Sequence, residues 1–447
     1  MTTIEAEYGV PAVGVHADAF ARVVASVSRT NGMPGQRRAF VPTPVMGRTR
    51  DELRAYVEGA DPTTGQPFVE ELLGALTRPL AAADLGGVEF DRSSPRLLEP
   101  ATENELQLLF RESGWTDYLP IVLPTEEQVE AMLAGTSRGR DEIVGRLRPT
   151  NYRELWEFTV EKVAVNAVMA GADPSHFPVI LALAASGLTA RSSTTGSSSP
   201  LVVVNGPIRH ELAMNSGIGA LGPYSHANAA IGRAYSLLSQ NLQGGSVPGV
   251  SYMGAQGNPT NFACVTFAEN EEQSPWEPYH VQQGFSSDES TVSILHCLGS
   301  TWSEGLREHW REKLTAILSG LEPFLGVTLV LDPTLARELH DRYGFTSKQQ
   351  LAAWIHENVR IPARRYWNYF GTATFIREDA VLGVEPWASY LAAPPEQLVP
   401  VFEPEWVHVV VVGGGTIAAW NAYNGRPLDA RLRGAPDVPT FSVDVWR

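Results

Sequence analysis

The sequence predicts an α/β protein, with a layered, mostly parallel sheet covered by helices and preceded by a helical N-terminal region. Three patterns carry that expectation. Capped, amphipathic runs follow one another through 100–190. After 190, short β-branched runs such as LVVVN alternate with helical runs, the grammar of strands joined by crossover helices. Near the C-terminus VHVVVV breaks into glycines, as a buried strand does on leaving a sheet.

The elements follow in order. Residues 18–28 have helical spacing behind Asp18, a good N-cap residue. Asn31 to Arg50 is a loop rich in Gly, Pro and Arg, and Arg37, Arg38, Arg48 and Arg50 make it the one basic neighbourhood, suited to a solvated arm or a subunit contact. ADPTTG at 60–65 is a turn, and PFVEELLGALTRPL has helical spacing. Thr102 with Glu105 forms a capping box, and Thr125 repeats the device. The run 151–171 is expected to be one helix with Leu155, Phe158, Val163 and Val165 inward and a stop at Gly171. FPVILALAASG opens a mostly buried helix. Beyond a polar loop at 191–200, LVVVN, NFACVTFAEN, TVSILHCLG, VTLVLDP and VHVVVV are expected strands. HANAAIGRAYSLLSQNL, LREHWREKLTAILSGL, PTLARELHDRYG and SKQQLAAWIHENV are expected helices. No repeat of fixed period is visible. The chain divides into an N-terminal arm (1–60), a helical region (61–190) and an α/β core carrying the site (191–447).

Composition narrows the partners. The chain has 447 residues, 43% hydrophobic and 19% charged, which is ordinary for a globular protein. With 34 Lys and Arg against 50 Asp and Glu, the formal charge of −16 repels nucleic-acid backbones and anionic membranes. The nearly apolar run 177–190 is shorter than the ~20 residues of a membrane span. An acidic N-terminus without an apolar run argues against a secretory signal, so a cytoplasmic protein is expected. Two cysteines exclude a disulfide framework.

Chemistry concentrates in three places. In VVVNGPIRHELAMNSGIGALGP a strand runs out into Asn205, Arg209, His210 and Asn215, with Gly217 and Gly219 able to bring backbone amides close to an anion. The alternative is a plain turn and a long loop. In FAENEEQSPWEPYH, Glu269 and Glu271 share one side of an extended chain, and paired carboxylates tune a proton-transfer group. His280 closes that segment; a solvated acidic loop is the alternative. In VVVVGGGTIAAW, Gly414 and Thr416 lie in a turn that either cradles a small anion or simply joins strand to helix. Lys162 is a lesser candidate base, and Cys264 a candidate nucleophile or metal thiolate. His210, His226 and His280 with a glutamate could hold a metal only if the fold brings them together.

The runs TENELQLLFRESGWTDYLPIVLPTEEQVEAMLAGT, WEFTVEKVAVNAVMAGADPSHFPVILALAAS, VVVNGPIRHELAMNSGIGALGP and FAENEEQSPWEPYHVQQGF resemble long bacterial proteins grouped with the UGSC (seleno)protein family. The similarity spans about 36–290, with a weaker echo in VVVVGGGT and FSVDVWR. The family label refers to a Cys/Sec-Gly-Ser-Cys motif and implies thiol or selenol chemistry; this sequence has no such motif, its nearest glycine motif being Gly413–Thr416. The resemblance implies an enzyme-like bacterial protein and assigns no residue.

Together these readings predict an enzyme of lyase or hydrolase type that works by general acid/base chemistry on a small polar or anionic metabolite, without an organic cofactor. His210, Glu269 or Glu271 would move protons. Asn205, Asn215 and the amides of 216–222 would hold developing charge, and Arg209 would meet a substrate carboxylate. A homo-oligomer is expected, with the basic arm at its subunit contact. The alternatives are a thiol- or metal-dependent enzyme and a non-catalytic binding or assembly protein.

Overall fold

The computed structural model describes residues 2–86, 96–147, 156–191, 195–243, 247–249, 252–262, 264–305, 309–425 and 438–447. Near the N-terminus, β1 (Gly14–Ala17), α2 (Ala21–Thr30) and β2 (Arg38–Val41) form a β-α-β unit whose strands pair in parallel, Gly14 opposite Arg38. Before it lies α1 (Thr2–Tyr8), and after it α3 (Arg50–Glu58) and α4 (Phe68–Thr77). Ala39, Val41 and Phe68 make a small core of their own, closed by Tyr56 and Leu72. The basic loop is partly neutralised: Arg37 forms a buried ion pair with Glu5, and Arg48 pairs with Glu52. The beginning of the chain is therefore mixed, not purely helical.

Both expected capping boxes form, Thr102 with Glu105 at α5 (Glu103–Glu112) and Thr125 with Gln128 at α6 (Glu126–Leu133). The expected helix 151–171 is corrected. Leu155 lies outside the described residues, Trp156–Thr159 is strand β4 paired antiparallel with β3 (Ile143–Leu147), and α7 (Val160–Met169) begins only then. Thr159 is the reason. Its β-branched side chain favours the strand, and its hydroxyl accepts from Lys162 N, which makes it the N-cap of α7.

The core consists of two four-stranded sheets. The first has the order β14 (Thr440–Ser442), β7 (Thr291–Cys297), β5 (Ser199–Asn205), β6 (Val265–Ala268). The second has the order β8 (Gly299–Glu304), β13 (Ala419–Asn424), β9 (Val327–Leu331), β12 (Val407–Val411). They pack face to face. Leu201, Val203, Phe267 and Leu295 of the first sheet share one apolar cluster with Val330, Val410 and Tyr423 of the second. The alternate residues point outward, as the two-residue period of a strand requires. Val202, Val204, Val292 and Ile294 meet α7, α8 (Phe177–Ala185) and α10 (His226–Gln243). Leu329, Leu331, Val409 and Val411 meet α12 (Trp310–Leu318), α13 (Pro333–Asp341) and α14 (Lys348–Asn358). The result is a four-layer sandwich, helices, sheet, sheet, helices.

This arrangement corrects the expectation of mostly parallel strands. Each sheet has one parallel pair, β5 with β6 and β9 with β12, and its other neighbours are antiparallel. Strands buried on both faces look alike in sequence whether helices cover both sides or a second sheet covers one. The layout also contains a duplication that no sequence period reveals. Each half of the core supplies three strands to one sheet, and then a fourth to the other: β8 joins β13, and β14 joins β7. No helix among the described residues is long and apolar enough to cross a membrane.

Candidate active site

The two parallel strands of the first sheet end together. Val204 pairs with Ala268, and Glu269 N donates to Val204 O at 3.1 Å, so Asn205 and Glu269 leave the sheet side by side. The chain then turns at Gly206, where φ is +83° and a Cβ would lie 2.1 Å from Glu289 O; only glycine fits. The turn leads into the short helix α9 (Ile208–Glu211), which brings Arg209 and His210 back over the exit of β6.

Asn205 is the hub. Its Nδ2 donates to Glu269 Oε2 at 2.7 Å and to Glu271 Oε1 at 2.9 Å, and Gly206 N donates to the same Glu271 oxygen at 2.9 Å. Glu269 is fully buried and also accepts from Tyr279 N at 2.6 Å. Its other oxygen meets Lys348 Nζ at 2.8 Å, and Lys348 is itself 3% exposed. Arg209 is buried as well. Its guanidinium donates to Gly206 O and Glu269 O and pairs with Glu271 and Glu272, each at 2.9 Å. Glu272 completes the chain by meeting His210 Nε2 at 2.9 Å. Arg209 holds the Glu272 carboxyl down to about 2. Three acidic side chains thus surround an arginine and a lysine, and His210 stands at the rim with 68% of its side chain exposed.

Several expected roles change. Arg209 is saturated by the protein's own carboxylates and carbonyls, so its charge is not free for a substrate. Asn205 has both amide hydrogens engaged. Asn215 shapes its loop, accepting from Gly217 N and donating to Ile218 O, both at 2.9 Å. Gly219 has φ +77°, and its O accepts from Gly222 N. Gly414 packs against Ile218, where a Cβ would clash at 2.0 Å, so the glycine turn and the 213–222 loop do meet. The turn is not an open anion cradle. Gly413 N is bound to Ser216 O and Gly415 N to Asp332, Thr416 is exposed, and the chain continues into β13 rather than a helix. His280 is fully buried, so it does not face a substrate from solvent. Lys162 is an exposed side chain of α7 in the outer helical layer, not a desolvated base. Burial pushes the Cys264 thiol up to about 12 and that of Cys297 to about 11, so neither is a ready thiolate. His210, His226 and His280 do not form one metal site: His210 meets Glu272, while His226 lies against Asp173.

Lys348 is the residue that sequence reasoning missed. It opens α14 behind the cap Ser347, and a positive charge in the first turn of a helix opposes the helix dipole. That local misfit was its only signal.

Residues 3–68 match the UGSC family model. The UGSC match runs from α1 to the first residue of α4 and overlaps the resemblance expected at about 36–290 only over 36–68. It includes none of the strand-end cluster and neither cysteine. No curated protein matches the chain.

Proposed function

We propose that the chain is an enzyme acting on a small polar or anionic metabolite by general acid/base chemistry, of lyase or hydrolase type and without an organic cofactor. His210 is the proton carrier. Its Nε2 is held by Glu272, which leaves Nδ1 to take a proton from substrate or from an attacking water. Glu272 stabilises the imidazolium so formed, and Arg209 fixes Glu272. Asn205, Glu269, Glu271 and Lys348 are positioning residues beneath that dyad. The observation that carries this reading is the solvent-facing His210 anchored through Glu272 to a buried arginine. A cytoplasmic homo-oligomer remains part of the proposal, with the N-terminal unit as its contact.

The test is incubation of wild-type protein with a pool of small carboxylic and amino acids, followed by mass spectrometry. Consumption of a defined compound, abolished by His210→Ala, supports the reading. A pool that stays unchanged with wild-type protein contradicts it.

A second reading rests on the N-terminal unit, where a cleft of about 800 Å³ is lined by Gln36, Arg38, Thr64, Gln66, Glu71 and Arg78. Its mixed polar and charged lining suits a small polar ligand, and most of the lining falls within the UGSC match. Ligand-induced stabilisation that survives His210→Ala and is lost in Arg38→Ala would select it.

A further inference from the structure

Away from the strand ends, Asp173, His176 and His226 converge where the chain leaves α7 and enters α8. One ligating atom from each lies within 4.8 Å of the others. Asp173 Oδ2 and His226 Nδ1 are 3.4 Å apart, and the two imidazole rings meet edge to face at 5.3 Å. Ligand atoms bonded to one tetrahedral metal at roughly 2.0–2.2 Å stand about 3.3–3.6 Å from each other. The Asp173–His226 separation of 3.4 Å falls in that range.

The hydrogen bonds decide which atoms are free. His226 Nε2 lies 2.7 Å from Gly171 O, which can only accept, so Nε2 is the donor in that bond. His226 Nδ1 is then the nitrogen that faces the Asp173 carboxylate. The bond from Nε2–H to a backbone carbonyl is also the contact that orients metal-ligating histidines in general. His176 is buried, whereas Asp173 and His226 are exposed, so water has access to the remaining positions. The supports are rigid: His176 ends the turn Pro174–His176 that leads into α8, and His226 is the first residue of α10.

We infer that Asp173, His176 and His226 bind one divalent first-row transition metal of the zinc class, leaving at least one position open to solvent. Two imidazoles and one carboxylate suit such an ion better than calcium or magnesium, which prefer all-oxygen sites. The site shares no residue with the Glu272–His210 dyad, so it stands or falls independently of the proposed activity.

The test is calorimetric titration of untagged, chelator-treated full-length protein with Zn²⁺, with metal counted after dialysis. The expected result is one zinc per chain, bound at least tenfold more weakly by Asp173→Asn and by His226→Ala but unchanged in His210→Ala. Both altered side chains are exposed, so circular dichroism should match wild type. If an alanine variant is misfolded, His226→Gln provides the same comparison. Failure of the wild type to retain zinc, or equal retention by Asp173→Asn and the folded His226 variant, overturns the site.

Discussion

Lys348 Nζ lies 2.8 Å from Glu269 Oε1, with 3% and 0% of the two side chains exposed. The pair joins the two halves of the sandwich, because Glu269 leaves β6 in the first sheet and Lys348 opens α14, which packs on the second. Lys348 also sits 5.6 Å from the Tyr279 ring centre, a further contact for a desolvated ammonium.

Breaking that pair leaves a buried charge without a partner. Lys348→Met should lower the unfolding free energy by about 3–5 kcal/mol in a urea titration. Adding Glu269→Gln should recover part of the loss, because the orphaned carboxylate is then gone. A single variant within about 1 kcal/mol of wild type would show that the ion pair is not closed in solution.

Glu272 gives a pH signature. Its carboxyl is held at about 2, below its ordinary 4.5, so its stabilisation is present above about pH 4.5 and is lost as pH falls through about 2. With half of the side chain exposed, screening limits the effect to about 1 kcal/mol. The stability gap between wild type and Glu272→Gln should therefore be widest near neutrality and close in acid. A gap that widens on acidification contradicts the Arg209 clamp.

His296 acts in a different window. Burial lowers it from 6.5 to about 4, so between those values the unfolded chain binds a proton that the native chain does not. Stability should fall as pH drops from 6.5 towards 4 and level off below, His296 contributing about 3 kcal/mol across the window. Burial lowers His408 to about 4 as well, so His296→Leu should reduce that slope by roughly half and leave the rest. Retention of the wild-type slope would place its origin elsewhere.

The thiols should be inert. Iodoacetamide at neutral pH should leave Cys264 and Cys297 unmodified in native protein and label both in urea, because both are buried and their thiols are pushed up. Rapid labelling of native Cys264 would favour the thiol-dependent alternative over the acid/base reading.

What could be read from the sequence was local. Thr102 and Thr125 declare their helices within three residues, and the runs around Val203, Leu329 and Val409 declare buried strands. One site joining 205–222 with 269–280 was expected, since polar residues at the exits of hydrophobic strands collect at one sheet edge, and 205–210 does meet 269–272, whereas Asn215 bonds within its own loop. Strand direction did not follow, because the second sheet buries Val203 as thoroughly as a helix layer would. Lys348 comes from 79 positions beyond Glu269, and only the tertiary fold pairs them. The glycines at 413–415 looked like an anion cradle because nothing local shows that Asp332, the N-cap of α13, already occupies one of their amides.

The proton-carrying role of His210 is tested most directly by chemical rescue. With the substrate found in the metabolite pool, His210→Ala should lose turnover while keeping the wild-type melting temperature, and added imidazole should restore part of the rate. Full turnover by the unrescued variant would contradict the account.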